Sequence, residues 1–411
     1  MSKTSPRRVT RRQVFYLPGY DPFHPRRYRE LYRTESAAQA SILNYQLQVS
    51  ARRGGGRYGW HVASRIEGCE VETDVEVLVW HDIVKDSMDR SILATYLQML
   101  RTAWVYLSTG ALFRLMRLRK GPVIAALYPV GGLLAQAALA LALVWLGGAL
   151  AGLILPSPWS WGGALLGAGA GAALLVWFRR QDGRFFVHYL MHDYGYSAQH
   201  RGATPPALEA RLAEFARIID AALDGDADEV LIVGHSSGAH LAVSILADLD
   251  RAGRLTGRGP VLSFLSLGQV VPMVSFLPEA GPLRADLSRV SKLDSVTWID
   301  VTAPGDGCAF ALCDPVRVSG RAVPGTRWPL VLSCAFTRTL RPETWAKLRW
   351  RFFRLHFQYL CAFDGLEGRF DEYDYFRITA GPMTLGDRLG ARAPSKSRKE
   401  APVNGFPEAA P

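Results

Sequence analysis

Within this 411-residue chain, Gly234-His235-Ser236-Ser237-Gly238 has the residue types and spacing for covalent chemistry. Read as G-x-S-x-G, it sets a serine between glycines that let a strand and a helix approach closely around a strained hydroxyl. Chance alone yields such a match about 0.2 times in a chain of this composition, so its setting must carry the reading. The setting is favourable: the apolar run Val230-Leu231-Ile232-Val233 precedes the motif and an amphipathic segment follows. A serine so held acts as a nucleophile when a base takes its proton, an acid orients that base, and backbone donors receive the oxyanion.

The elements that must hold these groups read as strands and helices in alternation. Further short apolar runs lie at 13–20, 59–66, 75–83, 260–268, 295–304 and 331–337, rich in Val, Ile and Trp. A helix is predicted over 204–223, with Thr204 as N-cap, Pro205 at the first position, and Leu208, Leu212, Phe215, Ile218 and Ile219 on one face. This alternation implies an α/β fold with a mostly parallel sheet and helices on both faces.

From Gly121 to Phe178 the chain has no Asp, Glu, Lys, Arg or His. As one helix these 58 residues would run about 87 Å, against a bilayer core of about 30 Å, so the block must fold back. Pro156-Ser157-Pro158-Trp159-Ser160 supplies the break, leaving spans near 130–155 and 161–178 as a transmembrane hairpin. Gly148 with Gly152, and Gly163, Gly167 and Gly171, are spaced for close helix packing. Arg101, Arg114, Arg117, Arg119 and Lys120 precede the block and Arg179, Arg180 and Arg184 follow it, which predicts cytoplasmic ends. Residues 89–120 read as an amphipathic, basic helical stretch, suited to a membrane surface or to an ordinary domain face.

At the nucleophile motif the chain resembles the α/β-hydrolase superfamily, a likeness that covers most of 13–384 apart from the hairpin. That resemblance implies a triad in the order serine, acid, histidine. His356 is then the base, because the other eight histidines precede the motif or lie within it and its helix. The acid comes from Asp248, Asp250, Glu279, Asp286, Asp294, Asp300, Asp306, Asp314 or Glu343. Asp306 is best placed, in Ala-Pro-Gly-Asp-Gly after a strand; Asp300 inside that strand is second and Asp314 third. The oxyanion hole is assigned to the amides of Ser237 and Tyr20, with Gly19 allowing the turn; a plain strand-end turn is the alternative.

The implied architecture is a basic disordered tail over 1–12, hydrolase-like halves over 13–120 and 179–384, the hairpin over 121–178, and a disordered tail over 385–411. The formal charge of +11 resides outside the globular part: 1–12 carry +5, 101–120 +5, 179–184 +2 and 385–411 +2, leaving −3 elsewhere. No basic run interleaved with aromatics marks a nucleic-acid surface. Gln136 alone is polar in the spans, which argues against a transporter. Five scattered cysteines indicate a reducing compartment, and Cys308 and Cys313 lack zinc-ligand company. The twin arginines at 11 and 12 precede too short an apolar run for an export signal. The expectation is a membrane-anchored serine hydrolase with its domain and both termini cytoplasmic, needing no cofactor and cleaving an ester or thioester, with lipid or acyl substrates favoured. A non-catalytic membrane protein using such a fold as a binding or scaffolding module is the alternative.

Overall fold

The computed structural model describes residues 8–52, 57–88, 90–154, 161–255, 259–367 and 373–406. Eight strands form one sheet: β1 (Arg11–Leu17), β2 (Gln46–Ala51), β3 (Gly59–Ile66), β4 (Cys69–Val77), β5 (Glu229–His235), β6 (Val261–Leu267), β7 (Val296–Thr302) and β8 (Leu330–Ser333). Their order is β2-β3-β4-β1-β5-β6-β7-β8. Strand β1 runs parallel to both β4 and β5, and β5 to β8 continue in parallel, so the fold is α/β with a mostly parallel sheet.

Alternation along each central strand builds two cores. Phe15, Val230, Ile232, Phe264 and Trp298 face helices Pro206–Leu223 and Gly238–Arg251. Val14, Tyr16, Leu231, Val233, Ile299 and Val301 face Tyr28 and Tyr32 of helix Arg26–Leu43 together with Phe376 and Ile378. With both faces covered, successive residues are apolar rather than alternating. Each such side chain taken from water contributes about 1.5–3 kcal/mol, which outweighs the weak local preferences of the segment.

Several local expectations are corrected. The run at 75–83 is divided: β4 ends at Val77, and His81–Met88 is a helix. Strand β2 carries no strong apolar run and forms the sheet edge. It pairs antiparallel with β3, and β3 with β4 through a two-residue turn in which Glu67 and Gly68 take φ of 54° and 74°. The helix expected from Thr204 begins at Pro206, with Pro205 as its N-cap at ψ 145°. A proline pushes the preceding residue out of the helical region, so Pro206 sets that boundary.

The polar tails are also shorter than expected. Arg12 is buried in β1; its guanidinium pairs with Glu229 at 2.6 Å and donates to the carbonyls of Gly381 and Met383. Glu229 in turn accepts the backbone N–H of Leu385, the first residue of helix Leu385–Leu389. Farther on, the Phe406 ring lies 5.1 and 5.2 Å from the guanidiniums of Arg114 and Arg284. Residues 8–12 and 385–406 are therefore tied to the domain, while 1–7 and 407–411 lie outside the described residues.

Two helices are long and apolar enough to cross a membrane, Lys120–Ile154 and Trp161–Arg180. The first begins ten residues before the expected span and runs through Pro129. Its foot is embedded, with Pro122, Val123, Pro129 and Leu133 buried. The Pro156–Ser160 turn lies outside the described residues. An added Cβ at Gly163 would overlap the Gly147 carbonyl, and one at Gly167 the Leu143 carbonyl, so these glycines do let the helices approach. The tight partner on the first helix is Gly147; Gly148 has only ordinary clearance from Ala164. The expected basic stretch holds two helices, Ile92–Ser108 and Ala111–Leu118, broken at Gly110, where φ is 68°, before the long helix begins at Lys120.

Candidate functional site

Strand β5 delivers Ser236 to a sharp turn before helix Gly238–Arg251, where its φ is +57°. A non-glycine residue there is strained and persists only when its surroundings hold it. They do so closely. A Cβ at Gly234 would lie 2.7 Å from Gly238 O, and one at Gly238 would overlap Leu17 O, so both motif glycines are sterically required. The Ser236 N–H donates to Leu267 O at 2.9 Å, fixing the turn to β6.

His356 ends the short helix Phe352–His356, and Asp306 lies in the loop after β7. Their side chains meet: His356 Nδ1 donates to Asp306 Oδ2 at 2.7 Å. Asp306 also accepts the Tyr359 hydroxyl at 3.0 Å and the Cys308 N–H at 2.8 Å. Burial alone would raise this carboxyl, but His356 and the two further donors outweigh it and hold it below its ordinary range. With Nδ1 engaged, His356 Nε2 is the nitrogen left to accept a proton.

Of the other acids considered, Asp300 lies inside the sheet, bonded to Ser266 Oγ at 2.6 Å, and burial raises it to about 8. Asp314 caps helix Pro315–Val318 through the N–H groups of Val316 and Arg317. Among the described residues, Asp306 is the carboxylate bonded to His356.

Ser236, Ser237, His356, Gly19 and Tyr20 line one pocket of about 820 Å³, its open mouth included. A Cβ at Gly19 would sit 2.9 Å from Ser236 Cβ, so a side chain there would crowd the hydroxyl. The N–H groups of Tyr20 and Ser237 have no acceptor among the described residues. No direct hydrogen bond joins Ser236 Oγ to His356 among the described residues; such contacts tighten when substrate arrives.

Three residues that sequence reasoning missed also shape the site. The buried His235, the motif's variable position, donates Nε2–H to the His356 carbonyl at 2.9 Å and anchors His356 to the turn. Burial, then nearby His356, lowers His235 to about 3, so it stays neutral. Tyr359 spans from Asp306 to the Ala303 N–H. Asp193, on helix Val187–Gln199, lines the same pocket; burial raises its carboxyl to about 7 against the opposing pull of His356. Its segment, His-Asp-Tyr-Gly-Tyr, has no motif that would have flagged it.

Asp306, Cys308 and His356 also bring three potential metal-ligand atoms within 4.8 Å of one another. Both Asp306 oxygens and His356 Nδ1 are already hydrogen-bonded. That donor set orients an imidazole and is not an open chelate. Comparison with protein-family models, with curated proteins and with solved structures found no match. Site and fold therefore stand on their own geometry.

Proposed function

We propose that this protein is a membrane-anchored serine hydrolase acting on an ester or thioester, with acyl or lipid substrates favoured. The observation that carries the reading is the strained Ser236 sharing a pocket with the His356–Asp306 pair. In this mechanism Ser236 Oγ attacks the acyl carbonyl as His356 Nε2 takes its proton. Asp306 holds the tautomer and stabilises the imidazolium, while the Ser237 and Tyr20 amides receive the oxyanion. His356 then protonates the leaving group, and water releases the acyl chain by the reverse sequence. The strand order, with the nucleophile turn after β5, is compatible with an α/β-hydrolase-like fold.

Apolar lining from Val270, Met273, Val274, Leu190 and Phe353 supports an acyl substrate. Arg114, Arg117, Arg119 and Lys120 before the hairpin and Arg179, Arg180 and Arg184 after it support a cytoplasmic domain. The test is labelling with a fluorophosphonate probe and peptide mapping. Ser236 should carry the adduct, and Ser236→Ala and His356→Ala should each lower ester turnover by about 10³-fold or more with folding retained. A folded protein labelled elsewhere, or nowhere, would contradict the reading and favour a non-catalytic binding module.

A further inference from the structure

Helix Ile92–Ser108 is apolar on both faces, with Met99, Val105 and Tyr106 buried on one and leucines exposed on the other. Thr95, Gln98 and Thr102 face inward, with Gln98 Oε1 bonded to His192 Nδ1 at 2.7 Å. Leu93, Leu97, Leu100 and Trp104 are 58–70% exposed, and Leu107 continues their line at helical spacing. A contiguous apolar stripe of this kind marks an interaction surface.

Its position names the occupant. Met99 packs with Leu133, Val187 and Met191, and the Tyr96 hydroxyl donates to Leu133 O at 3.0 Å. The wholly buried Leu133 lies at the end of the embedded foot of helix Lys120–Ile154. From Leu134 to Ile154 the helix extends about 31 Å, close to a bilayer core of about 30 Å. The stripe therefore lies where the hairpin leaves the domain. From Arg90 to Gln181 there is no Asp or Glu, whereas Arg101, Arg114, Arg117, Arg179 and Arg180 all fall in that stretch. This charge pattern complements anionic head groups.

A second exposed apolar element lies near the foot of the long helix. Exposed Trp350 and Phe352 stand between Arg349, Arg351 and Arg354. Phe352 lies against Gly307, which in turn lies against Gly121 in the first turn of the long helix. The pocket is walled by Tyr106 of the striped helix, Pro122 of the long helix, Leu190, and Phe353 beside Phe352.

We propose that helix Ile92–Ser108 lies in the plane of the membrane surface and, with Trp350 and Phe352, seats the pocket mouth on the lipid leaflet. An acyl chain then passes from the leaflet to Ser236 without crossing water. The docking stands on the surface alone; the acyl delivery rests on the hydrolase reading above.

The test uses the full chain in phosphatidylcholine–phosphatidylglycerol vesicles with acyl-brominated lipids. Trp104→Phe and Trp350→Phe should each remove part of the lipid-quenched tryptophan emission. Leu97→Glu and Leu100→Glu should lower turnover of a long-chain ester in the vesicles about tenfold, leaving a water-soluble short-chain ester within about twofold. Quenching unchanged by both tryptophan variants overturns the docking, as does a stripe that instead holds two copies together, seen as Leu100→Glu dissociating a dimer in detergent. Quenching as expected with no ester turned over by any form leaves the docking standing and the hydrolase reading overturned. An equal fall on both esters, with unfolding midpoints unchanged, rules out delivery from the leaflet.

Discussion

Ser236, His356 and Asp306 come from three separated segments, and their placement depends on residues outside the trio. Gly19 leaves room for the serine, His235 clamps the backbone of His356, and Tyr359 holds Asp306. Asp193 is different, since it is held close to neutrality inside the pocket by burial. Its folded-state value of about 7 exceeds the unfolded value near 4. Between those pH values the folded chain keeps a proton that the unfolded chain has lost, so stability falls as pH rises across this window. Asp193→Asn removes that titration. In detergent the variant should unfold at a higher temperature than the parent at pH 8, with the gap closing toward pH 4. Equal unfolding midpoints at both pH values would show that this carboxyl is not held neutral.

At the level of elements, the Ser236 turn and the hairpin both depend on glycine for the same reason, which is the absence of a Cβ where two backbones touch. The turn was legible because strand, serine and flanking glycines are contiguous, so local sterics specify them. The hairpin was legible because a long uncharged block has few places to go. Its fine register was not, since Gly147 and Gly148 are equivalent in sequence and only packing against Gly163 separates them. Gly167→Leu should force the two helices apart, because a Cβ there overlaps Leu143 O. A cysteine pair placed at 140 and 171, on the two sides of the Ala140–Gly171 contact, should then lose most of its disulfide cross-linking. Gly148→Ala should leave that cross-linking intact.

For the whole molecule, the hairpin is an excursion from the sheet and not a part of it. Strands β4, β1 and β5 are neighbours although more than 150 residues separate β4 from β5, so the sheet closes beneath the insertion. Continuing the register of Gly147 with Gly163 and Ala140 with Gly171 brings residue 133 opposite residue 178. Replacing 134–177 by a short Gly/Ser linker should therefore leave a domain that unfolds cooperatively in mild detergent, with a midpoint within about 8 °C of the parent. Loss of cooperative unfolding would show that the hairpin helps to hold the sheet together.

The α/β class, the uncharged hairpin, the strand–serine–helix turn and the candidacy of His356 are legible in the amino-acid sequence, with Asp306 ranked ahead of Asp300 and Asp314. Each of these is written in contiguous apolar runs, in glycine spacing, or in the order of a few rare residues. Only the tertiary structure decides that Asp306, and not Asp300 or Asp314, meets His356, and it alone sets the antiparallel edge at β2, the ordering of 385–406 by Glu229 and Arg284, the entry of Asp193 into the pocket, and the outward leucines of helix Ile92–Ser108. Those features depend on contacts between distant segments, and burial, which sets both packing energy and proton affinity, is defined only once those segments have met.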